Sequence, residues 1–362
     1  MTRIVYGVSG EGSGHSSRAR EMLTHLVALG HDVRVVSYDR GARNLKDDFP
    51  VHEITGLHIV SRNNKVSVPA TVRRNVGALG ALRRSWASVG QLIDEFQPHV
   101  IITDFEPMTA YAARRRDIPL ITIDNQHRMR YMNYPPVPRA RVDGAVTRTV
   151  IRLFVPRPRV SLITTFYFGE TTDPRAELFP PILRQRVREA EPADGDHVLV
   201  YVTQAFDSLI DALKAFPDQP FRVYGFDREG EEGNLAFRPF SVAGFLDDLR
   251  SARGVVATAG FTLMTEALYL RRPLLALPML GQYEQRLNAH LLSHLGYGMA
   301  ANRVTPEVLG GFLGQLDRYR EGLGEYPRDA GDAIKARLAA LVADNARLLR
   351  ESAAPVPGGS QG

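Results

Sequence analysis

The chain has 362 residues, 44% of them apolar, with no cysteine and a formal net charge of +5, so it is long enough for two ordinary domains and does not depend on disulfides. No apolar run approaches the roughly 18 residues of a membrane span, and Met1-Thr2-Arg3 leads straight into a strand pattern without a signal peptide, so a soluble cytoplasmic protein is the expectation. The basic balance comes without a helix-turn-helix, zinc-finger or RNP-type aromatic pattern, which argues against nucleic acid as a partner.

Ile4–Val8 reads as the first strand, and Ser9–Arg18, SGEGSGHSSR, follows as a glycine-rich turn expected to open a helix at Ser16 or Ser17. Gly10, Gly12 and Gly14 depart from the dinucleotide fingerprint because His15 occupies its last position. Asp39, the candidate acid for an NAD ribose, falls past the second strand, so a nicotinamide-binding domain is disfavoured. Val33–Ser37, Val100–Thr103, Leu120–Ile123 and Val160–Thr164 continue the strand series, and their alternation with helical patterns implies a parallel sheet covered by helices.

Between the second and third of these strands, the apolar residues of Val72–Phe96 recur at helical spacing, from Val76 and Leu79 through Val89 and Ile93, a core-facing stripe with Arg73, Arg74, Arg83 and Arg84 opposite. Asp104 ends one strand, with Glu106 two residues on, and Asn125, Gln126 and His127 follow the next at the same carboxyl edge, where open α/β sheets gather ligands.

Residues 128–160 hold Arg128, Arg130, Arg139, Arg141, Arg148, Arg152, Arg157 and Arg159 against one acid, Asp143. Arginine-rich usage throughout the chain is the plain explanation. A patch suited to an anionic acceptor or to lipid headgroups at the inner membrane face is the functional one.

Residues 1–170 thus form a first domain, and 171–196, with Asp173-Pro174, Pro180-Pro181 and Pro192, a linker. His197–Val202, Phe221–Tyr224, Gly254–Ala259 and Leu274–Leu277 mark a second αβ domain over 197–331, followed by a helix over 332–352 and a Pro/Gly/Ser-rich tail, 353–362, expected to be disordered.

The most informative stretch is 244–289. Gly254–Ala259 is a buried strand pattern feeding a helix from near Thr262, with Glu266 one turn in. The turn exposes N–H groups at the positive end of a helix, where a diphosphate can sit, and Glu266 is placed to accept hydrogen bonds from ribose hydroxyls.

The ordered set Phe245, Asp247, Asp248, Gly260, Glu266, Pro273, Gln285, Asn288 and Ala289 resembles the donor half of GT-B glycosyltransferases, especially the family of peptidoglycan N-acetylglucosaminyltransferases that make lipid II. The resemblance implies an α/β chain of GT-B type: two Rossmann-like, doubly wound parallel-sheet domains facing across a cleft. It implies a nucleoside diphosphate sugar donor, UDP above all, and a hydroxyl-bearing acceptor, anionic or lipid-linked.

On this footing His15 matches the family's general base, Asp104 its orienting partner, and Glu106 a substitute for it. Gly14, Thr203, Gly260, Phe261, Thr262 and Leu263 would cradle the diphosphate, and the Phe245 backbone would pair with the base edge. Glu284 and Gln285 would reach sugar hydroxyls. Thr258 stands where retaining relatives carry a Glu, so inversion is favoured. Asp194-Gly195-Asp196 precedes a strand rather than following one, so neither a metal nor another cofactor is expected. The rivals are a UDP-N-acetylglucosamine 2-epimerase, which shares the fold, and a catalytically silent GT-B subunit.

Overall fold

The computed structural model describes residues 1–57, 61–62, 65–66, 73, 75–202, 209–226, 228–279 and 281–353. Thr203 and Gln204, like Val72 and Arg74, lie outside the described residues. The strands run β1 (Arg3–Val8), β2 (Asp32–Ser37), β3 (Val51–Glu53), a ribbon of β4 (Ser61–Arg62) with β5 (Lys65–Val66), then β6 (Val100–Asp104), β7 (Leu120–Asp124), β8 (Val160–Thr164) and β9 (Ala176–Phe179). In the second half they continue as β10 (Val198–Tyr201), β11 (Phe221–Tyr224), β12 (Gly230–Glu232), β13 (Leu235–Phe237), β14 (Gly254–Thr258), β15 (Leu274–Leu277) and β16 (Gly298–Ala300).

Two seven-stranded sheets result, ordered β3-β2-β1-β6-β7-β8-β9 and β12-β13-β11-β10-β14-β15-β16. The first is parallel throughout, and the second is parallel except for the edge strand β12. β6, β7, β14 and β15 are buried at every position, which is why they read as unbroken apolar runs and not as alternations. In each sheet the order reverses beside the first strand of its series, between β1 and β6 and between β10 and β14. A crevice opens there at the carboxyl ends of the strands.

Three local features differ from the sequence pattern. The first helix, Ser13–Ala28, begins at Ser13 and not at Ser16. Gly12, at φ 79° and ψ 170°, starts it from backbone that only glycine adopts freely, so no serine cap is needed. The segment 171–196 is not all linker, because β9 pairs with β8 and completes the first sheet. The long helix is Leu79–Phe96, and it buries Val89 and Ile93, while Leu79 at its start and Val76 before it are more than half exposed.

The last helix, Asp332–Ala353, returns to the first sheet, where Ile334, Leu338 and Val342 join Ile4, Met22 and Leu26 in one buried cluster. Each fully buried aliphatic side chain contributes about 1.5–3 kcal/mol. Arg337 adds a forked ion pair to Glu177 at 2.8 and 2.7 Å. Another cluster spans both halves, packing Met129, Ile151 and Phe166 with Met264 and Leu287. Among the described residues no helix is long and apolar enough to cross a membrane.

Candidate active site

The site begins where β1 and β6 end side by side. Because the helix starts at Ser13, His15 sits in its first turn, and its Nδ1 lies 2.7 Å from Oδ1 of Asp104, the last residue of β6. A carboxylate oxygen only accepts, so Nδ1 carries the proton and Nε2 is left as the basic nitrogen. The His15 side chain is 12% exposed and that of Asp104 is wholly buried.

A buried carboxylate needs compensation, and Arg18 supplies it. One turn beyond His15 on the same helix face, Arg18 donates from Nε at 2.9 Å and Nη2 at 2.6 Å to Asp104, and from Nη1 at 3.1 Å to Asn125 Oδ1. Arg18 does not stand out in the sequence, where its three-residue spacing from His15 is the available signal. Asn125 then donates at 2.6 Å to Glu284 of the second half, so one hydrogen-bonded chain crosses from His15 to that half.

Glu106 does not join this cluster. Phe105, at φ 57°, turns the chain, and the buried Glu106 carboxylate caps the helix Pro107–Arg115, accepting from Met108 N, Thr109 N and Thr109 Oγ1 at 2.8, 2.7 and 2.6 Å. Burial pushes its carboxyl up despite those bonds. His127 is wholly buried, its Nδ1 2.7 Å from Asp124 Oδ2. Burial of Asp124 is outweighed by His127 and by the hydrogen bonds from it, which hold that carboxyl below its usual range.

In the second half, Gly260 precedes the helix Phe261–Tyr269, whose first turn contains Phe261, Thr262 and Leu263. This N-terminus abuts that of the first helix, since a Cβ on Gly14 would stand 2.7 Å from Thr262 Oγ1. Glu266, 2% exposed, accepts a fork from Arg184 at 2.8 and 2.7 Å. Burial pushes its carboxyl up, and the Arg184 charge opposes this. Arg184, from the segment read as linker, also escaped the sequence analysis.

The Phe245 N–H is already given to the Ser241 carbonyl at 2.9 Å, because Phe245 lies inside the helix Val242–Ser251. Base-edge pairing to that N–H is therefore closed off. The ring instead joins Tyr201 and Phe240 in an aromatic group with centroids 5.3 and 5.5 Å away. Gln285 Oε1 accepts from Met279 N at 3.0 Å and steadies the loop before its helix.

The arginines of 128–160 are not one face. Arg128 is wholly buried in the cleft, its guanidinium over Phe261 at 4.8 Å and hydrogen-bonded to Asn288, and burial pushes its pKa down to about 10. Arg157 and Arg159 border a different cavity with Arg114. Among the described residues no group of three or more His, Asp or Glu side chains is placed to hold a metal ion.

Residues 2–317 match the model of glycosyl transferase family 1. The chain belongs to that family. An uncharacterized glycosyltransferase of Methanosarcina mazei is 24% identical over 347 residues, covering 85% of this chain and 88% of the relative. The glycotransferase of kitacinnamycin superposes with a TM-score of 0.70 at 18% identity, covering 95% of this chain and 99% of that one. MurG of Acinetobacter baumannii gives 0.62 at 16% identity, over 95% and 100%. At such identities these structures show the fold, and the fold is GT-B. The protein is a glycosyltransferase, and its family implies a nucleotide-sugar donor and a hydroxyl acceptor.

Proposed function

We propose that the enzyme moves a sugar from UDP to an acceptor hydroxyl by single displacement with inversion, without a metal ion. The 2.7 Å contact of His15 with Asp104 carries this reading. It leaves His15 Nε2 as a base at the mouth of the β1/β6 crevice, opposite the donor-side helix. In the reaction the acceptor proton passes to Nε2 while the oxygen pair attacks the sugar C1, the bond from C1 to the diphosphate oxygen breaks, and UDP leaves with that electron pair.

The negative charge on the diphosphate meets the N-terminus of the helix Phe261–Tyr269, worth about half a positive charge, with the first helix's N-terminus beside it. The cavity between Gly14, Arg18, Phe261, Thr262 and Glu266 measures about 10 Å³, room for roughly one water, so donor entry parts the two halves. The ribose hydroxyls then bind Glu266 in place of part of its Arg184 fork, the sugar faces Glu284, and the base stacks on Phe240, which is 60% exposed.

Glu266→Gln should weaken UDP binding about 10–100-fold, since a neutral amide forgoes charge-assisted hydrogen bonds worth about 1.5–3 kcal/mol. Isothermal titration checks this, and an unchanged affinity removes Glu266 from the ribose. Turnover should also persist in excess EDTA, because the two helix N-termini face the leaving group. Loss in EDTA with recovery in Mg²⁺ would refute the metal-free reading. An axial-to-equatorial change at the anomeric carbon, read by proton NMR of the product, tests inversion itself.

A further inference from the structure

A cavity of about 430 Å³ beside the cleft is bordered by Arg130, Arg141 and Arg148, with no acid in its lining. Asp143 is paired with Arg286 at 2.8 Å, and Asp173 with Arg175 at 2.6 Å, the Arg130 charge adding a weaker pull on Asp173. Among the described residues none of the three cavity arginines belongs to an ion pair, and Arg130 Nη1 is buried without a hydrogen-bond partner. Three like charges around one hollow repel each other, and an unpaired buried donor carries a desolvation cost. An oxyanion placed among them relieves both, and guanidinium forks match carboxylate and phosphate geometry.

The rest of the lining adds an apolar component. Met129, Val137 and Ala140 are buried beneath the arginines. Tyr134 and Tyr283, whose hydroxyls lie 3.1 Å apart, form the wall toward the cleft. Tyr283 directly precedes Glu284, which Asn125 joins to the Arg18, Asp104 and His15 cluster. The cavity is therefore one residue removed from the hydrogen-bonded chain that runs from Glu284 to His15.

We infer that this cavity is an acceptor subsite for an anionic group, phosphate or carboxylate, carried on an apolar body. The inference rests on the transferase reading above and names its acceptor class. The anion has two possible sources, a soluble molecule or a lipid headgroup. The second has a structural basis in Val142, Val146 and Leu153, which stand 76%, 58% and 56% exposed along one face of the helix Arg141–Phe154 beside the cavity.

The test uses phenyl phosphate as probe, titrated into full-length protein already saturated with UDP so that the donor site is filled. Phenyl phosphate should bind, phenol should bind about tenfold more weakly or worse, and the variant Arg130→Gln/Arg141→Gln/Arg148→Gln should lose about tenfold or more of phenyl phosphate affinity. UDP affinity should stay unchanged in the variant, which also shows that it folds. No binding of phenyl phosphate, or equal binding by wild type and variant, overturns the inference.

Co-sedimentation with phosphatidylcholine vesicles, with and without phosphatidylglycerol, separates the sources. Sedimentation that needs phosphatidylglycerol, is competed by phenyl phosphate and is lost in the variant supports a headgroup. Phenyl phosphate binding without sedimentation supports a soluble acceptor. Failure to bind UDP with phenyl phosphate binding intact would reject the donor assignment while leaving the anion site standing.

Discussion

His15→Ala should lower turnover about 10²–10⁴-fold, the range a positioned general base supplies, while UDP affinity stays nearly unchanged because His15 stands on the acceptor side of the cleft. Asp104→Asn should lower turnover by less. The amide can still hold the ring, but it does not stabilise the imidazolium that forms as the acceptor proton arrives. The two losses should not add, because without His15 there is no ring for Asp104 to orient, so the double variant should match His15→Ala. Steady-state kinetics on the four proteins, below the melting temperature of each, decides the matter. Strictly additive losses would mean separate roles, and near-normal turnover in His15→Ala would move the base elsewhere. Glu106 would be a poor successor, since its carboxylate is spent on Met108 and Thr109.

The second large effect is on stability. Arg18→Met should cost about 3–5 kcal/mol, the usual consequence of removing one partner from a buried charge pair, and lower the melting temperature by on the order of 10 °C. Asp104, wholly buried, would keep only His15 as a partner, and Asn125 would lose its link to the first helix. Arg18→Lys should recover part of the loss, since an ammonium restores the charge without the fork that now meets both carboxylate oxygens at 2.9 and 2.6 Å. Calorimetric melting of the three proteins reads this directly. A melting temperature in Arg18→Met within a degree or two of wild type would show that Asp104 does not depend on that guanidinium.

Much of the architecture was legible in the order of residues. Short apolar runs such as Val100–Ile102 and Val255–Ala257 mark central parallel strands because both faces of such strands are covered. The turn after β14 and Glu266 one turn later mark the helix Phe261–Tyr269 from local spacing alone, and the alternation of strands and helices in two series separates the halves. His15 and Asp104 were expected as a pair through the family resemblance, each placed just after a strand or at its end. Local periodicity alone does not join them, because their contact depends on β6 lying next to β1.

Similar reasons hide the remainder. Ala176–Phe179 is interrupted by Glu177 and lacks an apolar run, and it becomes a strand by pairing with β8. Arg184 meets Glu266 from 82 positions away, and Asn125 meets Glu284 from 159. The eight arginines of 128–160 look like one basic patch in the chain, yet the fold buries Arg128 in the cleft, sets Arg130, Arg141 and Arg148 around one cavity and turns Arg157 and Arg159 toward another. Side-chain type, spacing and periodicity are local properties and determined the elements and the family of this protein. Which charges are paired, which are buried and which are left to bind something else was decided by tertiary packing, since burial and counter-charge belong to the neighbours that chain topology brings together.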